Sequence, residues 1–294
     1  MTETSKIIDG KAEAKQMFEK LQNHVAVLKD VHDITPCLAV ILVGDDPASQ
    51  VYVRNKERRA VKLGMESIVH KLPAKTSQDE VIRLIEKLND DETVHGILVQ
   101  LPLPKQIDTF TILRALHSAK DVDGLHMDNV GRLATGRFGL VPCTPQGCLQ
   151  LLKKTCGSLV GKHAVVVGRS ALVGKPLAQL LMRENASVTM LHSKSTNPEK
   201  IASQADIVIA AVGVPKLLDQ SWFKKDAIVI DVGINRLDDG SLCGDVDFDA
   251  VYDHVGKITP VPGGVGPMTI ACLMGNTLIA ACRQNELALP DLYQ

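Results

Sequence analysis

Short apolar runs, each closed by glycine, proline or a polar turn, constrain this chain more than any other feature. CLAVILVG at 37–44, VHGILVQL at 94–101, HAVVVG at 163–168 and the runs at 206–212 and 227–232 are too short for core helices. They read instead as strands buried on both faces. Further strands are expected over Ser67–Leu72 and Ser187–Leu191. Stretches of helical period separate most of them: Lys11–Lys29, Ala48–Leu63 stopped by Gly64, and Lys175–Glu184. Ser77 and Glu80 form a capping box for a helix reaching about Leu88. This alternation favours an α/β chain with largely parallel sheets.

The 294 residues suffice for about two domains. The stretch KDVDGLHMDNVGRLATGRFGLVP, Lys120–Pro142, shows little periodicity and reads as a functional or linking loop. Thr144 as N-cap with Pro145 after it opens the next helix. A boundary is therefore placed here, with 142–270 as the second domain. The first comprises 1–141 and 271–294, if the last helix, after Gly266 and carrying Ile270–Cys282, returns to it.

Composition narrows the functions. Lys plus Arg number 33 and Asp plus Glu 34, a formal net charge of -1, which gives no reason to expect nucleic acid or an anionic membrane as partner. Aromatics, at 3%, are too few for a base-stacking surface. The first fifteen residues lack the apolar core of a signal peptide. Runs such as Cys37–Val43 are too short to span a bilayer. The seven cysteines include no C-x-x-C pair, and Cys143, Cys148 and Cys156 lack zinc-ligand spacing. Reduced thiols in a cytosolic compartment, with no metal, are expected.

Several segments could carry chemistry. The turn GRSALVGKP, Gly168–Pro176, joins a strand to a helix where a Rossmann half binds pyrophosphate, although the pattern is not G-x-G-x-x-G. The next strand ends in Leu191, His192, Ser193 and Lys194, without the acid that commonly binds the NAD ribose. A plain polar exit from a strand fits these residues equally well. Tyr52 and Lys56 share one face of a helix that starts at a strand's carboxyl edge, although a solvated lysine is the bland alternative. Gln100 stands in an apolar run and needs hydrogen bonds or a cleft. Asp121 and Asp123 are ordinary turn residues by default. PVPGGVGPMT, Pro260–Thr269, is either a close-approach loop for a ligand or a rigid linker.

In order along the chain, YVRNKERRAVKLGM, GILVQLPLP, KDVDGLHMDNVG, PCTPQG, GRSALVGKP and PVPGGVGPMT closely resemble the bifunctional methylenetetrahydrofolate dehydrogenase/cyclohydrolase family. The resemblance covers essentially the whole chain. It implies two α/β domains, a folate-binding catalytic domain and a Rossmann-like doubly wound NADP domain, with the active site in a cleft between them. It makes Lys56 the central catalytic group, with Gln100 holding and tuning it, Tyr52 stacking near the folate rings and Asp123 hydrogen-bonding the pterin. Val99, Leu101, Pro262, Gly263, Gly264, Val265, Gly266, Pro267, Thr269 and Ile270 are implied to line the folate site. Gly168, Arg169, Ser170, Ser193 and Ile234 are implied to contact NADP.

The implied reactions are oxidation of 5,10-methylenetetrahydrofolate with NADP and hydrolysis of the product to 10-formyltetrahydrofolate. The resemblance further implies a homodimer, acting on tetrahydrofolate substrates in one-carbon metabolism that feeds purine, methionine and histidine biosynthesis. Two alternatives stay open at this point. Another two-domain NAD(P)-dependent dehydrogenase would account for the Rossmann half but not for Tyr52, Lys56, Gln100 and Asp123. A non-catalytic folate- or nucleotide-binding module would not need all four.

Overall fold

A computed structural model describes residues 5–293. Residues 1–4 and 294, which belong to the expected domain bounds, lie outside the described residues. The chain forms two compact units, one built from residues up to Lys15 with Thr144–Thr269, the other from Gln16–Cys143 with Ile270 onward.

The second of these units begins with most of the helix α1 (Gly10–His32) and is organised on three strands, β1 (Cys37–Val43), β2 (Glu66–Leu72) and β3 (Gly96–Val99). All pair in parallel, in the order β2-β1-β3. Every residue of β1 is buried, as its unbroken apolar run requires for a central strand. Helix α2 (Pro47–Lys62) follows β1 directly; Asp46 caps it by accepting from the Ser49 N–H at 2.7 Å, and Pro47 occupies its first turn. Helix α3 (Gln78–Asp90) carries the capping box at Ser77 and Glu80. Two short helices complete this part, α4 (Thr109–Ala115) and α5 (Met127–Ala134).

Helix α5 corrects the expectation of an irregular segment over Lys120–Pro142. It is only eight residues long, and its apolar Met127 and Val130 are exposed, so its apolar residues do not mark a buried face. Its start is fixed by hydrogen bonds instead: the buried Asp121 carboxylate accepts from the His126 N–H at 2.8 Å and from Asn129 Nδ2 at 2.9 Å. Helix α6 (Cys143–Cys156) likewise starts one residue before the expected cap at Thr144.

The nucleotide-type unit carries a parallel five-stranded sheet. Its strands are β4 (His163–Val167), β5 (Ser187–Leu191), β6 (Ile207–Ala210), β7 (Ile228–Asp231) and, past a two-stranded antiparallel ribbon β8 (Asn235–Arg236) and β9 (Leu242–Cys243), β10 (Lys257–Ile258). The order β10-β7-β6-β4-β5 reverses direction at β4, the strand that feeds helix α7 (Gly174–Arg183). Helices α8 (Pro198–Ala202) and α9 (Phe248–Val251) lie in later connections. The core joins Val165, Val167, Leu191, Val208 and Val229 of the sheet to Phe223, Val246, Val251 and Val255.

The N-terminal segment departs from the expected bounds, because residues 5–15 group with the nucleotide-type unit. Ile258 explains this: its N–H donates to the Lys6 carbonyl and its carbonyl accepts from the Ile8 N–H, both at 2.9 Å. Lys6 Nζ also donates to the Asp253 carbonyl at 3.0 Å. A segment hydrogen-bonded to β10 belongs with that sheet.

The last helix, α10 (Val265–Gln284), starts earlier than expected and is long and apolar enough, by length and composition, to cross a membrane. Most of it is nonetheless buried inside the protein, as in the core helix of a globular fold. From Ile270 onward it belongs with the β1–β3 unit. Asn276, 3% exposed, donates through Nδ2 to the Val122 and Val141 carbonyls, each at 2.8 Å. That one amide ties α10 to both ends of the 122–141 segment. Replacing Asn276 by Leu takes the donor from the half-buried Val141 carbonyl and leaves the Val122 carbonyl only the Cys143 thiol, and is expected to lower the unfolding free energy by about 1–3 kcal/mol. Urea denaturation checks this, and a change below ~0.5 kcal/mol would contradict the role given to the amide.

Candidate active site

The strand that leads into α2 and the strand that ends just before Gln100 are neighbours, and this brings two distant parts of the sequence together. Pairing continues one residue past β3, since the Gln100 N–H donates to the Ile41 carbonyl at 2.9 Å. From there the Gln100 side chain is fully committed. Its Nε2 donates to the Leu101 carbonyl at 2.6 Å, so its Oε1 faces the other way and accepts from Lys56 Nζ at 2.9 Å. The assignment of amide oxygen and nitrogen follows from this pattern, because an ammonium offers only donors.

Lys56 is half-buried. Loss of hydration pushes its ammonium below the usual lysine range, while the Asp123 carboxylate pulls it back up. Desolvation is the larger effect. Gln100 supplies a neutral acceptor and so orients the amine without adding a charge that would restore its full basicity. Tyr52, one helical turn before Lys56, is 38% exposed and offers an open ring on the same helix. Val99 is buried and Leu101 half-buried on either side of Gln100.

Asp123 is positioned by its neighbours. The Lys120 ammonium donates to the Leu88 and Asp91 carbonyls, at 3.0 and 2.7 Å, at the carboxyl end of α3. The Ile97 N–H donates to the Lys120 carbonyl at 2.7 Å, which draws KDVDG alongside β3. Asp121 and Asp123 thus have different surroundings: the first is fully buried and accepts from His126, the N-cap of α5, and from Asn129, while the second is half-buried and acts electrostatically on Lys56. Gly124 closes the turn at φ +71°, with Val141 and Pro142 backbone against the place where a Cβ would stand. The residue that sequence reasoning passed over is Cys143. It is indeed a buried thiol, but its Sγ contacts the Val122 carbonyl at 3.3 Å, and burial with the Asp123 charge pushes it well above the usual thiol range. It stands as a neutral wall beside Asp123 and Lys56. Only the PCTPQG motif could have drawn attention to it.

In the other unit, Gly168 leaves β4 at φ +123°. A Cβ there would collide with the Ala211 carbonyl oxygen, and one at Gly174 with the Gly168 carbonyl oxygen. The backbone therefore turns tightly at the carboxyl edge of the sheet, next to the N-terminus of α7, the surroundings that bind a pyrophosphate. Ser170 Oγ already accepts from the Val173 N–H at 3.1 Å and shapes that turn. Arg169 and Ser193 are exposed, and neither side chain has a hydrogen bond or ion pair among the described residues. Ile234 is exposed beyond β7. The loop after Leu191 is closed by Ser195, whose Oγ accepts from the His192 N–H at 3.0 Å. Tight glycine turns and unpaired donors at one sheet edge fit a phosphorylated dinucleotide.

The PVPGGVGPMT segment divides. Pro262, Gly263 and Gly264 form a turn, with Gly263 at φ +115°, whereas Val265, Gly266, Pro267 and Thr269 lie in the first turns of α10. The expected loop is therefore half helix. Pro267 is tolerated because the first-turn N–H groups lack intrahelical partners. Ile270 falls in the other unit from the residues before it. Among the described residues, no group of three or more His, Cys, Asp or Glu is placed to hold a metal ion.

Comparisons with known proteins identify the family. Residues 8–123 match the catalytic domain, and residues 142–285 the NAD(P)-binding domain, of tetrahydrofolate dehydrogenase/cyclohydrolase. The bifunctional protein FolD 2 of Ectopseudomonas mendocina is 57% identical over 95% of this chain and 93% of its own length. The crystal structure of the bifunctional FolD enzyme of Campylobacter jejuni superposes with a TM-score of 0.92 at 47% identity, covering 96% of this chain and 99% of that one. The Trypanosoma brucei enzyme, solved with NADP cofactor and an inhibitor, gives 0.91 at 38% identity over 96% and 98%. Both alternatives, an unrelated dehydrogenase and a module without catalysis, lose their ground. With both domain matches in order and near-complete coverage by bifunctional relatives, this chain belongs to the tetrahydrofolate dehydrogenase/cyclohydrolase family and is a bifunctional enzyme of folate one-carbon metabolism, an oxidoreductase with an NAD(P)-binding domain and a hydrolase.

Proposed function

We propose that the enzyme oxidises 5,10-methylenetetrahydrofolate with NADP and then hydrolyses the 5,10-methenyl product to 10-formyltetrahydrofolate, with Lys56 as the group that moves protons. The observation that carries this reading is the 2.9 Å hydrogen bond from Lys56 Nζ to Gln100 Oε1 in a place where the ammonium is short of water. Bound NADP supplies the hydride acceptor for the first reaction. Gly168, Gly174 and Ser170 shape the turn that would hold its pyrophosphate, and Arg169 with Ser193 would hold the 2′-phosphate.

In the second reaction, water adds its oxygen to the methenyl carbon, and the bond from that carbon to N5 breaks. One water proton ends on N5 and the other is released. Lys56, whose ammonium loses its proton more readily because it is desolvated, accepts in its neutral form a proton from the attacking water and passes one on. Gln100 keeps the amine aimed. The Asp123 carboxylate accepts from pterin N–H groups, and the Tyr52 ring stacks on the folate. Val99 and Leu101, on either side of Gln100, line the folate site. Delivery of the formyl group to purine, methionine and histidine biosynthesis follows from the same resemblance.

A cytosolic homodimer is part of the proposal, without nucleic acid or membrane as partner. No cysteine among the described residues is in a disulfide, which suits a reducing compartment. The near-zero net charge suits small-molecule substrates. The dimer rests on the family resemblance.

Two experiments test the residue roles. Lys56→Met should lower methenyltetrahydrofolate hydrolysis by about 10²–10⁴-fold while the protein folds and binds NADP; hydrolysis near the native rate would overturn the assignment. For the cofactor, Arg169→Ala with Ser193→Asp removes a cation and places a carboxylate against the 2′-phosphate. The ratio of kcat/KM for NADP to that for NAD should fall by at least ~10-fold. A native preference for NAD, or an unchanged ratio in the double variant, contradicts the reading.

A further inference from the structure

Two buried carboxylates in the nucleotide-type unit take no part in the chemistry just described. Asp245 is 0% exposed and Asp231 3% exposed. Neither is paired with a cation among the described residues; backbone N–H groups surround them instead. Asp245 Oδ2 accepts from the Val212 N–H at 2.7 Å and the Gly213 N–H at 2.9 Å. Its Oδ1 accepts from the Val214 N–H at 3.1 Å and from Asn235 Nδ2 at 2.9 Å. One carboxylate thus gathers three successive N–H groups of the loop after β6 and the Asn235 side chain at the start of β8, just past the exit of β7.

Asp231, the last residue of β7, holds Asp245 in turn. Its Oδ1 accepts from the Gly233 N–H at 2.9 Å and the Asp245 N–H at 3.0 Å, and its Oδ2 from the Val246 N–H at 2.9 Å. The Asp231 N–H is itself fixed to Thr259 Oγ1 at 2.8 Å. Gly233 and Gly244 make room for the pair, since a Cβ at the first would collide with the Asp245 carboxylate and at the second with that of Asp231.

The loops held this way flank the pyrophosphate turn. The Ala211 N–H donates to the Val167 carbonyl at 2.8 Å, and the Ala211 carbonyl lies against Gly168. Beyond the clamp, Val214 and Ile234 expose apolar side chains, 44% and 47% exposed, from the two loops that Asp245 joins. Loops at the carboxyl edge of such a sheet meet the dinucleotide.

We propose that Asp245, held by Asp231, is a positioning residue for cofactor binding: its carboxylate sets the loop at 212–214 and the exit of β7 in the arrangement the dinucleotide requires. An acceptor-only group is needed there, because each N–H aimed at it must find a lone pair; an asparagine would turn its own donors toward one of these N–H groups. The proposal rests on the NADP reading above and names residues that do not touch the cofactor themselves.

The test is Asp245→Asn in the full-length enzyme, with NADP binding by calorimetric titration and both activities measured separately. The Kd for NADP should rise at least ~10-fold, with dehydrogenase KM for NADP rising in step. Cyclohydrolase activity, which uses no cofactor, should stay within about twofold of native. A merely structural role would lower both activities in parallel with the melting temperature, and that result, or an NADP Kd within twofold of native, overturns the inference. If Asp245→Asn does not fold, Asn235→Ala, which removes one of the four donors, carries the test: a rise of about threefold in the NADP Kd with unchanged cyclohydrolase activity supports it, and an unchanged Kd overturns it. Native protein that binds no NADP would overturn the functional reading itself, and this inference with it.

Discussion

The Lys56 ammonium gives up part of its hydration and receives a single neutral oxygen, from Gln100, in exchange. Much of the β1–β3 unit serves that arrangement. Parallel pairing of β1 with β3 puts the start of α2 and the residue after β3 at the same edge of the sheet. The Gln100 N–H bond to Ile41 fixes the backbone, and the Nε2 bond to Leu101 fixes the side chain. Shifting the register of β3 by one residue would turn Gln100 to the opposite face. The amine would then be left in a desolvated place without an acceptor.

The second constraint is the KDVDG turn. Lys120 and Asp121 are not the reacting groups, yet each is committed to a structural bond that holds Asp123 near Lys56. Asn276 of α10 adds a third anchor from the far end of the sequence. The carboxylate at Asp123 then opposes the effect of burial on Lys56, so the lysine is held between two opposing influences. The nucleotide-type unit follows the same pattern, with buried Asp231 and Asp245 spending their oxygens on backbone so that exposed residues nearby are set in place.

Strands were legible in the sequence: the inner, apolar β1, β4, β6 and β7 differ from their expected spans only at their ends, and the edge strand β5 matches its span. Helix α3 was legible through its capping box. Helix α5 was not, because its start is specified by Asp121 and Asn129 rather than by an apolar stripe. Within the candidate site, Tyr52 and Lys56 were readable as one helix face, and Gln100 as a polar residue in an apolar strand. That Lys56 and Gln100 meet depends on the pairing of β1 with β3, which local pattern does not encode. Asp231 and Asp245 were invisible for a related reason: they bind backbone N–H groups, which every residue type carries, so no partner residue marks them.

The most direct test of this account is the titration of Lys56 itself. In protein labelled with carbon-13 at lysine Cε, the Lys56 resonance, assigned through Lys56→Arg, can be followed with pH beside the surface lysines. The account predicts a Lys56 midpoint clearly below the ordinary value of about 10.4, and a further change in that midpoint in Gln100→Met, where the oriented acceptor is gone. A Lys56 signal that titrates together with the exposed lysines, in native protein and variant alike, would contradict it.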